Sequence, residues 1–138
     1  MKTLLTISTL VFTVMFSSTS FAGWTKVGES VKGNTFYVDY ERIRKHGGYV
    51  YFWMLSAFLK PEEGISSMKT EIEVDCGTPR KYRGLRRLLY KEPMGEGKVV
   101  YEDSDEEQEW SCPTPDSIFE AWLKIVCAYL ALMRKAEK

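Results

Sequence analysis

The chain contains few side chains that could carry out catalysis, and their spacing does not bring them together. Its single histidine, His46, lies beside Gly47 and Gly48. It could act as a pH switch, but the sequence places no carboxylate beside it, so we interpret it as an exposed turn residue. Acid–base or nucleophilic catalysis needs a converging set such as Ser, His and Asp, or paired carboxylates in a cleft. With neither pattern and no glycine-rich phosphate loop, we predict that the protein is not an enzyme and binds no cofactor.

A run of acidic residues from Glu102 to Glu109 could in principle bind calcium. A calcium loop of the EF-hand type needs a glycine at its sixth position and a bidentate Glu at its twelfth. Both are absent here. A solvated loop is therefore the preferred interpretation, and no metal site is predicted.

A strand rich in basic residues is predicted over residues 80–91. It carries Arg80, Lys81, Arg83, Arg86, Arg87 and Lys91. If a hairpin pairs Lys91 with Lys98, Arg87 falls opposite Glu102 and Arg86 opposite Asp103, and the charges satisfy one another within the sheet. The alternative is that the first five of these residues form a binding patch for an anionic partner. The sequence leaves both interpretations open.

Length and charge limit the classes of partner. A chain of 138 residues is normally one domain with its own core. It carries 19 basic and 19 acidic residues, so its formal net charge is zero. Such a molecule has no overall attraction to nucleic acid or to an anionic membrane. We predict a protein partner, met by a local patch.

The first 22 residues are predicted to be a cleaved secretory signal peptide. Lys2 is followed by an apolar centre from Leu4 to Phe16, and Ser20-Phe21-Ala22 is a small-x-small cleavage site. The apolar centre falls short of the roughly 18 residues that a membrane-spanning helix needs. We therefore expect an exported protein with no transmembrane segment, which stays in the periplasm or is secreted or associated with the cell surface. Residues 23–138 are predicted to be its one domain.

Export changes how the three cysteines are interpreted, because thiols tend to pair in an oxidising compartment. We favour a disulfide between Cys76, at the end of a strand, and Cys127, in the terminal helix. Cys112 would then be a free thiol or would link two copies into a homodimer. A zinc site is the alternative, but no cysteine spacing is short and only one histidine is present.

Hydrophobic periodicity predicts an α+β fold. Residues 34–59 are interpreted as two central strands joined by a helical turn over Tyr40–Lys45, with Asp39 as its N-cap. Further strands are predicted over residues 24–29, 68–76 and 98–103. In the strand 68–76, the alternation places Glu71 and Glu73 on the solvent side. Residues 60–67 are predicted to be a loop, and 93–97 a turn.

One long helix is predicted at the end of the chain. Thr114-Pro115 could cap it, but Ser117 with Glu120 fits a capping box and is favoured. Winding at 3.6 residues per turn places an apolar face toward the sheet and puts Glu120, Lys124, Cys127 and Ala131 on the opposite side. The predicted face consists of Ile118, Trp122, Ile125, Val126, Tyr129, Leu132 and Met133.

Several separate motifs, in order along the chain, resemble the surface-adhesin protein E family of exported bacterial domains. They are Tyr37-Val38-Asp39-Tyr40, Ile43-Arg44-Lys45, Trp53-Met54-Leu55, Ser66-Ser67-Met68-Lys69, Asp75-Cys76, Met94-Gly95-x-Gly97, Val99-Val100-Tyr101, Trp110, Pro115-x-Ser117 and Lys124-Ile125-Val126-Cys127. The resemblance implies an antiparallel sheet of about six strands packed against a C-terminal helix, with the family's paired cysteines at Cys76 and Cys127. It also implies adhesion to host matrix proteins such as vitronectin and laminin. This chain differs in lacking a lipidation cysteine, in adding Cys112 and in continuing past Cys127 from Ala128 to Lys138.

Two functions follow from these expectations. The first is a non-catalytic binding protein of the adhesin type, in which the basic strand meets an acidic or sulfated partner. The second is a periplasmic envelope protein that binds another bacterial protein or its own copy and has no host target.

Overall fold

The computed structural model describes residues 23–105 and 108–136, which form one antiparallel sheet, one α-helix and two short 3-10 turns, Tyr40–Arg42 and Pro93–Gly95. The predicted signal peptide lies outside the described residues, as do Glu106 and Glu107 of the acidic run. The strands are β1 (Trp24–Glu29), β2 (Thr35–Asp39), β3 (Arg44–His46), β4 (Tyr49–Glu62), β5 (Ile65–Asp75), β6 (Lys81–Tyr90) and β7 (Val99–Ser104), and the helix is α1 (Ile118–Ala136). The predicted α+β class is confirmed.

The strands lie in the order β1-β2-β4-β5-β6-β7, and the short β3 pairs with the start of β4. All pairings are antiparallel. The two longest strands, β4 and β5, are central, because β4 supplies the aromatic, β-branched run and β5 the alternating one. Of the two central strands predicted within residues 34–59, β4 is central, and β2 lies beside it, between β4 and the edge strand β1.

Two connections differ from the sequence prediction. The helical turn spans only Tyr40–Arg42, capped as predicted by Asp39, whose carboxylate accepts from the Glu41 N–H at 3.1 Å. The next residues form β3, because Gly47 and Gly48 both adopt positive φ and close a tight hairpin onto β4. The predicted helix to Lys45 is therefore wrong.

The predicted loop over residues 60–67 is also wrong, because strands fill most of it. β4 runs to Glu62 and β5 begins at Ile65, joined by Glu63 and Gly64 with φ of 50° and 81°. Pro61 lies where the β4–β5 register shifts between Ala57 and Glu62. A proline is tolerated there because the regular ladder is interrupted.

The β6–β7 hairpin departs by one residue from the predicted register. Tyr90 lies opposite Val99, as predicted, but Leu89 lies opposite Tyr101, so Val100 is an extra bulge residue. From there on Arg87 faces Asp103 and Arg86 faces Ser104. The predicted pairings of Arg87 with Glu102 and of Arg86 with Asp103 are wrong, because periodicity alone does not show a bulge.

The loop between β6 and β7 folds back over the sheet face that lies away from the helix. The Ser67 hydroxyl donates to the Glu92 carbonyl at 2.6 Å and accepts from the Gly95 N–H at 2.8 Å. Gly95 has a φ of 65°, which favours glycine, and a Cβ there would lie 2.5 Å from Cε of Lys69 and 3.3 Å from Cδ1 of Leu55. The loop covers Leu55 and Ser67, which are both fully buried.

Helix α1 packs against the other face and encloses the core. The Ser117 hydroxyl accepts from the Glu120 N–H at 3.2 Å, so the favoured N-cap is confirmed. Among the described residues, no helix is long and apolar enough to cross a bilayer. The core cluster joins sheet and helix residues: Val38, Val50, Phe52, Met54, Ile72, Val74, Trp122, Leu123 and Val126.

The buried face of α1 is rotated relative to the predicted one. Trp122 and Val126 are buried as expected, but Ile125, Leu132 and Met133 are exposed by 39%, 65% and 46%. Leu123 is buried instead, and Cys127 and Leu130 pack against the core. The disulfide between Cys76 and Cys127, whose Cα atoms lie 5.9 Å apart, holds the Cys127 side of the helix against the sheet. The free cysteine, Cys112, is exposed.

Candidate functional site

The residues of the predicted basic patch have different surroundings in the structure, and Arg83 is the most buried of those described below as ion-paired. Arg83 points away from the helix, and its Nε lies 2.7 Å from Oε1 of Glu73, its register partner on β5. Its guanidinium also lies 4.6 Å from the ring centre of Trp110. Glu73 is only 5% exposed, although the alternation predicted it to be in solvent. Because a buried carboxylate needs a partner, Arg83 supports the fold and is not free to bind a ligand.

Tyr51 completes the surroundings of this buried carboxylate from β4. It is the register partner of Glu73. A hydrogen bond from the phenol to Glu73 is the main cause that raises the pKa of Tyr51, with burial second. Arg44 lies 5.2 Å from the Tyr51 ring centre and 3.8 Å from Glu71. Charged and aromatic side chains therefore alternate across the strands on this face.

Arg86 and Arg87 are at the surface and are paired with β7. Arg86 Nε lies 2.6 Å from Oε1 of Glu102, diagonally across the hairpin, and Arg87 bonds Asp103 directly opposite. The two arginine side chains remain 44% and 56% exposed. Surface pairs of this kind contribute about 1 kcal/mol or less, so a partner could exchange with either carboxylate.

Arg80 and Lys81 differ from the other basic residues of the strand. Within the described part of the chain, no carboxylate lies within 4.0 Å of either side-chain nitrogen. Arg80 is exposed and lines a groove of about 350 Å³ beside the start of α1, together with Cys112 and Lys124. These two cations are the part of the predicted patch that is not neutralised internally.

Strand β7 is an edge strand with an apolar surface, which the pattern of charges in the sequence does not indicate. Val99, Val100 and Tyr101 are exposed by 42%, 45% and 57%. Among the described residues no strand pairs with the outer side of β7. An edge of this kind exposes unpaired backbone groups and apolar side chains together, which is typical of a surface for pairing with another chain. Its signal in the sequence is the run Val99-Val100-Tyr101.

A cavity of about 370 Å³ opens beside this edge on the helix face of the sheet. Its lining combines apolar side chains with the charged side chains of Arg86, Arg87, Asp103 and Asp105. Tyr82 and Phe119 stack within it, with ring centres 4.8 Å apart. Its lining residues are Met54, Met68, Thr70, Ile72, Tyr82, Gly84, Leu85, Arg86, Arg87, Asp103, Asp105, Gln108 and Phe119. A cavity of this size and character can hold an apolar group.

The remaining candidate chemical groups do not converge. His46 ends β3 and is exposed. Among the described residues, no three His, Cys, Asp or Glu side chains lie close enough together to hold a metal ion.

Comparison with known proteins assigns the domain to a family. The sequence model of the family described as surface-adhesin protein E matches residues 24–128.

The chain belongs to the surface-adhesin protein E family. The family region includes both disulfide cysteines and ends at residue 128, so the end of α1 lies beyond it. No curated protein matches the chain significantly.

Two crystal structures of protein E share the fold of this family member. The first is crystal form II of Haemophilus influenzae protein E, with a TM-score of 0.55 at 20% identity over 79% of this chain and 90% of that one. The second is protein E from non-typeable Haemophilus influenzae, with a TM-score of 0.53 at 19% identity over 80% of each chain.

Proposed function

We propose that this member of the surface-adhesin protein E family is an exported, non-catalytic binding protein that uses the β6–β7 hairpin to bind a protein partner. The observation that carries the proposal is the exposed apolar run Val99-Val100-Tyr101 at the sheet edge. Interfaces combine an apolar centre with a polar rim. The hairpin has this arrangement, because the exposed pairs Arg86–Glu102 and Arg87–Asp103 border the apolar run.

The candidate partners are host matrix proteins such as vitronectin and laminin, which the family resemblance implies. The basic residues Arg80 and Lys81, which have no carboxylate partner among the described residues, are the cations that would steer an acidic or sulfated partner. Such steering weakens as salt rises, because exposed charges are screened within about 10 Å at 0.1 M salt. Arg83 is excluded from this role because it holds Glu73.

The test is binding of the purified protein to immobilised vitronectin and laminin across a salt series. The double substitution Val99→Ser, Tyr101→Ser removes two of the three apolar side chains of the run, and we expect it to weaken binding at least tenfold. The matched control is Leu59→Ser, Leu132→Ser, since both leucines are 65% exposed and lie outside the hairpin. The control should bind within twofold of the unsubstituted protein.

A second pair of substitutions examines the cations. Arg80→Gln, Lys81→Gln should flatten the dependence of affinity on salt, whereas Lys45→Gln, Arg134→Gln, which removes two exposed charges elsewhere, should not. Absence of saturable binding at micromolar concentration would reject the host-matrix partner. It would favour the second function, a periplasmic envelope protein with a bacterial partner.

A further inference from the structure

We propose that an extended segment of the partner pairs with the outer edge of β7 and inserts an apolar side chain into the cavity beside Gly84. The inference deepens the proposed function and rests on the protein being a binding protein. In strand addition, main-chain hydrogen bonds supply affinity, and pockets for every second side chain supply specificity. The structure places an unpaired edge and a pocket side by side.

The register of the sheet shows that the edge and the cavity share one face. Tyr101 pairs with Leu89, and Leu89 pairs with Met68, which lines the cavity. Asp103, two residues along β7 from Tyr101, also lines the cavity. Because side chains alternate between faces with a period of two, a segment added to β7 would place every second side chain on this face, with the one beside Asp103 next to the cavity.

Gly84 contributes no side chain to the cavity that it lines. It lies inside strand β6 and lines the cavity, and its backbone does not need glycine, since its φ lies outside the left-handed region. A Cβ there would lie 3.0 Å from Oε1 of Gln108 and 3.8 Å from Cγ2 of Thr70. Glycine weakens a strand interior, and its presence there often marks the close approach of a ligand or another backbone.

The charge along β7 defines the chemistry of the segment. The strand begins with the apolar run and ends with Glu102, Asp103 and Ser104. The two carboxylates are paired with Arg86 and Arg87, but their side chains remain 51% and 32% exposed, so a basic side chain of the segment can compete for them. The complementary segment is apolar at one end and basic at the other. A second copy of β7 does not fit: antiparallel pairing along the whole strand would place acidic residues against apolar ones, and parallel pairing would align the carboxylates.

The experiment selects peptides of about 12 residues, longer than a typical strand, from a displayed random library against the purified full protein. Enriched peptides are then titrated against variants. Gly84→Leu fills the cavity, and Val100→Pro alters the edge at the bulge, where proline is tolerated. The matched control is Gly28→Leu, because Gly28 is also a strand glycine with ordinary φ, and a Cβ added there would meet no atom within 4 Å. Urea unfolding confirms that each variant is folded.

We expect enriched peptides that alternate apolar side chains, carry basic residues at one end and lack proline. Gly84→Leu and Val100→Pro should each weaken their binding at least tenfold, and Gly28→Leu should leave it within twofold. Failure to enrich any peptide, or enriched peptides that bind Gly84→Leu as tightly as the unsubstituted protein, would overturn the inference. If matrix proteins do not bind but such peptides do, the host-matrix function fails and the strand-addition inference stands.

Discussion

Arg83 Nε lies 2.7 Å from Oε1 of Glu73, a carboxylate that is 5% exposed, on the sheet face that lies away from the helix. The pair joins β5 to β6 at a register position, and Trp110 covers the guanidinium. One basic residue of the strand therefore supports the fold, while its neighbours stay available at the surface.

Replacing Arg83 with Ala should destabilise the protein by about 3 kcal/mol, because it leaves Glu73 charged, buried and without its ion-pair partner. Arg86→Ala is the matched control in the same strand, and it should cost about 1 kcal/mol or less, since its pair with Glu102 is exposed. Urea unfolding of both variants measures the difference. Equal losses would show that Glu73 does not depend on Arg83.

The disulfide should contribute on the order of 4 kcal/mol, because it closes a loop between residues 51 apart in the sequence and so restricts the unfolded chain. The double substitution Cys76→Ser, Cys127→Ser should lower the free energy of unfolding by that amount. Cys112→Ser, at an exposed free cysteine, should change it by less than about 0.5 kcal/mol. A large loss from Cys112→Ser would contradict this assignment of the cysteines.

The orientation of helix α1 predicts opposite outcomes for two leucines. Leu123→Ala should cost about 3 kcal/mol, since Leu123 is 1% exposed and packs in the core. Leu132→Ala should stay within about 0.5 kcal/mol, because Leu132 is 65% exposed. Thermal or urea unfolding separates the two. A larger loss from Leu132→Ala than from Leu123→Ala would indicate that the helix buries the face expected from its periodicity.

The hydrogen bond to Glu73 predicts a pH dependence for Tyr51. Because the bond and burial raise the pKa of the phenol, the folded protein holds this proton more tightly than the unfolded chain. The stabilisation is present below about pH 10, the ordinary tyrosine range, and is lost as pH rises through the folded-state pKa. The difference in unfolding free energy between the unsubstituted protein and Tyr51→Phe should therefore shrink in alkaline solution. A difference that stays constant or grows would rule out the bond.

The sequence determined the fold class, the N-caps at Asp39 and Ser117 and the position of most strands, because these depend on local periodicity and capping chemistry. The Cys76–Cys127 disulfide also agrees with the structure, helped by the family resemblance. Local pattern did not determine the β6–β7 register, since a single bulge residue, Val100, moves every later pair by one. The alternating pattern also predicted that Glu73 is exposed to solvent. In the structure Glu73 is buried between Tyr51 and Arg83 on the two neighbouring strands, which a local pattern cannot show.

Only the tertiary structure decided which side of helix α1 packs against the sheet and where the sheet forms a cavity. Helix α1 is apolar over so wide an arc that its sequence allows more than one orientation, and contacts with the sheet select the side that contains Leu123 and Cys127. The cavity at Gly84 likewise exists only because β4, β5, β6, β7 and the start of α1 meet there. Because the cavity is lined by residues that are far apart in the chain, no local sequence pattern predicts it. The apolar run that begins at Val99 is visible in the sequence, but its exposure is known only from the structure.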